Sequence, residues 1–314
     1  MVAPSGEQFE ITADGYRAVI TECGAGLRVL ECDGVPIVAG YAEDTTATAG
    51  RGQLLVPWPN RIAAGSYTFA GRTLQLPLNE PARDPDSRGS HGNAIHGLGR
   101  WTSWTPEKKR PDSVSLTCRL MAQPGYPWTL DLLVRYQLSA GGLAVTLSAR
   151  NLSDSPAPYA HGAHPYLAVG PGPVDSWELL LPASTRLTTD ESQIPSGGEP
   201  VEDTDYDFRA ARPIGDLRLD DAFTDLTPDA DGDRVTVQVR EPTSGQGAAL
   251  WMDVRHRWVQ VFTGDGLPGA RTALAVEPMT APADAFNSGD GLVVLAPAGT
   301  AGDEHSASWG IRSL

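Results

Sequence analysis

A two-residue period in hydrophobicity restricts this chain more than any other feature. Val235, Val237 and Val239 alternate with Thr236, Gln238 and Arg240, and Leu143, Val145 and Leu147 alternate with Ala144, Thr146 and Ser148. Neighbouring side chains of an extended backbone point to opposite faces, so each run buries one face and wets the other. Turn residues divide further strand-length runs. Asp33-Gly34 lies between segments 27–32 and 35–38, Ala70-Gly71-Arg72 between 67–69 and 73–76, and residues 139–142 between 130–138 and 143–149. Each reads as a hairpin. Strand signals recur at 177–181, 248–254, 258–263, 274–277, 292–296 and 304–312.

No long amphipathic helix is visible, and only 282–287 reads as one helical turn, with Pro282 suited to its start. The 34 glycines and 26 prolines are scattered along the 314 residues, which marks frequent turns rather than a disordered tail. The expected class is all-β: packed antiparallel sheets, very little helix, one domain over 5–313. No fixed-period repeat supports a propeller or solenoid. The longest irregular stretches, 39–52, 79–93 and 190–219, are polar, and loops of that length tend to carry function.

Charge excludes several partners. With 39 acidic against 24 basic side chains, the net charge is -15, which opposes a nucleic-acid partner. It also disfavours a heavily phosphorylated substrate, although a local basic pocket overrides a global sign. Three cysteines without a Cys-x-x-Cys pattern (Cys23, Cys32, Cys118) read as reduced thiols. The polar start and the lack of a long apolar window lead us to expect no membrane partner and a cytoplasmic location.

Five short strings place titratable or cationic groups beside turn residues: Pro57-Trp58-Pro59-Asn60-Arg61, Ile95-His96-Gly97, Gly162-Ala163-His164-Pro165-Tyr166, Leu219-Asp220-Asp221-Ala222-Phe223 and Val276-Glu277-Pro278. Alone, each has a bland reading: a solvated carboxylate, a structural histidine, a surface arginine. In this order, with the flanks 55–71, 95–104, 259–265 and 276–287, they resemble the aldose 1-epimerase (galactose mutarotase-like) family over most of the chain.

That resemblance implies an antiparallel β-supersandwich with a sugar cleft on one concave face. It implies Glu277 as general base, His164 as general acid, and Arg61, His96 and Asp220 as groups that bind and polarise the sugar. Asp220 is preferred to Asp221 because the family's carboxylate follows an apolar residue. The next place, often histidine in the family, is Asp221 here, so both carboxylates stay candidates. Trp58 and Phe286 are candidates for an apolar platform under the sugar.

The implied activity is interconversion of the α and β anomers of a free hexopyranose. One base and one acid suffice for it, so no cofactor and no metal are expected. Arginine cannot shuttle protons near neutral pH and suits an orienting role. The expected partner is a small sugar, with the chain a monomer or homodimer. Alternatives are an epimerase of a phosphorylated or sulfonated hexose, with Arg51, Arg83, Arg88 and Arg100 as sources of positive charge, and a non-catalytic sugar-binding protein.

Other features read as structural. His161 and His164 are three apart, so an extended chain turns them to opposite faces and disfavours shared metal ligation. His91, His256 and His305 are read as structural or surface residues. The acidic run 229–233 lacks the spaced glutamate of a calcium loop and reads as a hairpin turn.

Overall fold

The computed structural model describes residues 2–82 and 91–314. Among these the regular secondary structure is almost wholly antiparallel sheet, joined by turns and irregular loops. One sheet runs, in spatial order, through Thr105–Arg110, Ser113–Leu120, Leu130–Ser139, Gly142–Asn151, Glu304–Ser313, Gly247–Asp253, Arg234–Arg240, Glu178–Leu180 and Arg212–Pro213. A second runs through Pro195–Pro200, Ala183–Thr189, Asp220–Leu226, Trp258–Phe262, Leu274–Met279, Gly162–Ala163 and Leu54–Leu55, with Tyr166–Leu167 also paired to Leu274–Met279. Four strands near the N-terminus, Gln8–Ala13, Tyr16–Thr21, Leu27–Cys32 and Val35–Pro36, form another.

The alternation seen in the sequence sets which side chains meet. Val235, Val237 and Val239 enter one large apolar cluster that also takes Val259, Val261, Leu274 and Val276 from the second sheet. That cluster draws residues from Phe9 to Ile311, so both ends of the chain feed one core. Each large side chain removed from water there contributes about 1.5–3 kcal/mol before its ordering cost.

Two of the expected hairpins are tighter than the sequence reading drew them. Arg72 joins the strand Arg72–Gln75, leaving Ala70-Gly71 as the turn, and Ser139 pairs with Gly142. In the first, both turn residues have positive φ (50° and 75°), the geometry that matches strand twist.

Three expectations need correction. Residues 190–219 are not wholly irregular: Pro195–Pro200 is an edge strand, where a missing N–H is tolerated at the ends. The run 229–233 is a turn but not a hairpin, because it joins strands of two different sheets, Asp220–Leu226 and Arg234–Arg240. The helical turn spans Ala285–Ser288 rather than beginning at Pro282, because Asp284 ahead of it is left-handed (φ 60°). No helix among the described residues is long and apolar enough to cross a membrane.

Candidate active site

The second sheet turns its other face toward a cavity of about 450 Å³. Alternation decides which residues reach that face. In Leu274–Met279, Val276 points into the core, so Glu277 points the opposite way. Gln260, register partner of Glu277 on the neighbouring strand, does the same between Val259 and Val261. At the start of Asp220–Leu226 the two carboxylates go to different surroundings. Asp220 lines the cavity and accepts a hydrogen bond from Gln260 Nε2 (2.9 Å) and another from Gln193. Asp221 instead accepts from Arg186 Nη1 at 2.6 Å.

Loops deliver the remaining groups. His164 follows the short strand Gly162–Ala163, its backbone held by Gln53 O (3.0 Å) and Gly52 N (2.9 Å). Its ring stacks on Tyr166 with centroids 5.0 Å apart and meets His96 edge-on at 5.4 Å. Gly50 makes room for it: a Cβ there would lie 2.5 Å from His164 Cδ2, and its φ of +75° favours glycine independently. His96 is also left-handed (φ 65°) and is anchored by donation of its N–H to Asn60 O, 2.8 Å. Arg61 lines the cavity beside it, with Nε and Nη2 donating to Glu80 (2.8 and 2.7 Å) and Nη1 to Asn60 Oδ1 (3.1 Å).

The central relation is between Glu277 and His164. Oε1 of the carboxyl and Nε2 of the imidazole are 3.3 Å apart, with both side chains buried. Burial pushes the Glu277 carboxyl well above the usual carboxylate range; the charge of Asp220 adds to this and that of Arg61 opposes it. Burial takes His164 down to about 3, with Arg100 and Arg51 pushing the same way. His96 is driven well below its ordinary value, first by burial and then by His164, Arg100 and Arg61.

Five of the seven site residues named from the sequence, Glu277, His164, Arg61, His96 and Asp220, line this cavity together. The other two do not. Trp58 is buried, donates Nε1–H to Ala94 O (3.2 Å) and packs edge-on against Phe286 at 5.7 Å. Phe286 continues the same core cluster onto Tyr67 at 5.0 Å. Both are apolar enough to be drawn wholly inside, which removes them from the cavity surface. The aromatic rings that do line the cavity are Trp101, Tyr166 and Phe262.

Gln260 and Gln193 were missed because glutamine carries no motif. Gln260 lay inside a quoted flank, 259–265, and its place between two buried valines was the available signal.

The remaining histidines separate as their spacing suggests. His161 turns away from the cavity toward Tyr159, His256 and His305. His256 is buried rather than surface, with Nδ1 3.2 Å from Asp253 Oδ1. Of the arginines considered for an anionic substituent, Arg83 and Arg88 lie outside the described residues. Arg100 lines the cavity, and Arg51 follows the lining residue Gly50.

The chain is 36% identical over 292 residues to the uncharacterized protein YihR of Escherichia coli (strain K12), covering 93% of this chain and 89% of that one. It is 28% identical to the galactose mutarotase of Rattus norvegicus over 68% of this chain and 64% of the rat protein. The fold matches that of a GalM/aldose epimerase homologue from C. elegans with a TM-score of 0.82 at 21% identity, covering 98% of each chain. It also matches a putative aldose 1-epimerase from Escherichia coli K12 with a TM-score of 0.80 at 19% identity, covering 98% of this chain and 99% of that one. The family model "Aldose 1-epimerase" matches residues 7–307, and on that span the chain belongs to the aldose 1-epimerase family.

Proposed function

We propose that this chain interconverts the α and β anomers of a hexopyranose by acid–base ring opening and closure. The 3.3 Å contact between Glu277 and His164 carries the reading, because it places one carboxyl and one imidazole within reach of a single hemiacetal.

The pair needs only one proton. As carboxylate and imidazolium, Glu277 takes the proton of the anomeric hydroxyl while His164 gives one to the ring oxygen. The C1–O5 bond breaks and the open aldehyde forms. Rotation about C1–C2 presents the other carbonyl face. Glu277 then returns its proton to the carbonyl oxygen, His164 takes the proton of the C5 hydroxyl, and that oxygen closes on C1. The pair ends as it began, so the reading invokes no cofactor and shifts no equilibrium. Arg61, fixed by Glu80 and Asn60, orients hydroxyls, and Asp220, held by Gln260 and Gln193, accepts from them.

Exchange spectroscopy on pure anomers of glucose, galactose and related sugars tests this. Glu277→Gln is expected to keep the fold and sugar binding and to lose about 10²–10⁴-fold in catalysed exchange. Full activity in that variant excludes Glu277 as the base. Sugar binding without any acceleration by the unaltered chain would favour a pure binding protein instead.

A further inference from the structure

Two arginines at the cavity carry charge that no described carboxylate neutralises. Arg100 lines the cavity, and Arg51 follows Gly50 on its wall. The Nε of each is buried with no hydrogen-bond partner. The neighbouring cations are committed: Arg61 to Glu80, Arg186 to Asp221 and Glu199, Arg271 to Asp175 and Asp265. The lining carboxylates are engaged elsewhere too, Glu80 with Arg61, Asp265 with Arg271, and Asp220 with the two glutamines.

In a chain where acidic groups outnumber basic ones 39 to 24, two guanidinium groups at one cleft without a carboxylate partner among the described residues are not an accident of composition. A partly buried cation without a partner is costly unless something anionic meets it. The planar guanidinium fork suits carboxylate, phosphate or sulfonate oxygens. Aromatic faces hold both in place, with Arg51 5.3 Å from the Tyr166 ring centroid and Arg100 5.6 Å from that of Trp101.

Their position relative to the reacting pair matters. Arg100 acts electrostatically on His96 and His164, and Arg51 on His164, whereas the cation acting on Glu277 is Arg61. In a pyranose the ring oxygen joins C1 to C5, and C6 hangs from C5. With O1 at Glu277 and the ring oxygen at His164, C6 falls on the imidazole side, toward Arg100 and Arg51.

We propose that Arg100 and Arg51 form an anion subsite, and that the substrate is a hexopyranose with a negatively charged group at C6. This rests on the acid–base reading of the same cavity and specifies its substrate.

The test measures catalysed anomer exchange for glucose beside its 6-phosphate, its 6-sulfonate analogue and glucuronate, which distinguish the three anion chemistries. At least one anion is expected to exceed glucose in kcat/KM by about tenfold or more. Arg100→Gln and Arg51→Gln are expected to lower the anion-to-glucose ratio by about 10- to 100-fold, chiefly through KM, as loss of a charge-assisted hydrogen bond implies. Arg100→Lys keeps the charge and is expected to restore part of the ratio. Glucose turned over as well as all three anions overturns the subsite and leaves the acid–base reading standing. If no sugar is exchanged, that reading fails, and calorimetry with the same anions decides the subsite: binding lost in Arg100→Gln supports it, and no binding to the unaltered chain overturns it.

Discussion

His164 Nε2 lies 3.3 Å from Glu277 Oε1, although the imidazole comes from a loop and the carboxyl from the middle of a strand. Burial acts on the two in opposite electrical senses. It favours the neutral carboxyl and the neutral imidazole, so the unliganded pair keeps its one proton on Glu277. The proposed cycle begins once that proton has moved to the imidazole, a shift that a bound sugar would favour by supplying the polar partners that burial removed.

The pH dependence of activity follows from this proton count. A second proton is needed to inactivate the pair on the acid side, and His164 accepts it only near pH 3. On the alkaline side the pair must lose its proton, and Glu277 is held well above 4.5. The expected profile of catalysed kcat/KM therefore has its acid limb near pH 3 and its alkaline limb well above 4.5, with no loss of activity on acidification through the ordinary histidine value of 6.5. A clear step there, measured by polarimetry with spontaneous mutarotation subtracted, counts against the assignment.

Stability linkage at the same residues has a definite sign. Between 4.5 and its raised folded value, Glu277 binds more proton folded than unfolded, so stability declines as pH rises. Glu277→Gln removes that loss and is expected to melt higher than the unaltered chain at pH 8, the gap narrowing toward pH 4.5. For His164 the unfolded chain binds more proton between about 3 and 6.5, so stability is lost as pH falls through that window. His164→Asn is expected to recover about 2 kcal/mol at pH 5. Thermal melts across pH check both signs.

Gly50 is expected to be intolerant of a side chain. Gly50→Ala places a methyl 2.5 Å from His164 Cδ2 on a backbone with φ +75°. Strain of about 1–3 kcal/mol is expected in stability. Displacement of the ring is expected to lower kcat by about tenfold or more, since misplacement by an ångström is costly in a preorganised site. Unfolding curves and exchange rates separate the two effects.

Gln260 ties Asp220 to Asn60, donating to the former at 2.9 Å and accepting from the latter at 3.3 Å. Gln260→Leu keeps the volume and leaves both partners short of a hydrogen bond, each worth about 1 kcal/mol or more. The expected result is a KM raised about tenfold with a smaller change in kcat. An equal fall in kcat alone would place Gln260 in the chemistry rather than in binding.

The platform role that the family resemblance suggested for Trp58 is expected to fall to Trp101 instead. Trp58→Ala removes a buried indole and is expected to cost about 3–5 kcal/mol of stability. Trp101 is 53% exposed on the cavity wall, so Trp101→Ala is expected to weaken sugar binding with little effect on unfolding. Calorimetric titration beside denaturant unfolding distinguishes the outcomes.

The sequence by itself determined the all-β class, because a two-residue period with turn residues between the runs can bury its apolar half only in sheets. It also marked Glu277, His164, Arg61, His96 and Asp220, through the resemblance of five ordered strings to one family rather than through any string alone. Only the tertiary structure decided which side of a wall each group faces. Trp58 and Phe286 belong to strings as suggestive as the others, yet core packing claims both. Asp220 and Asp221 are neighbours of the same type, and strand alternation sends one to the cavity and the other to Arg186. The link from Gln260 to Asp220 and Asn60, and the two arginines without a carboxylate partner among the described residues, were equally invisible in the string of residues. Pairing, burial and the lack of a neutralising charge are properties of what lies nearby in space, and local sequence fixes the conformation of a residue without fixing its neighbours across the sheet.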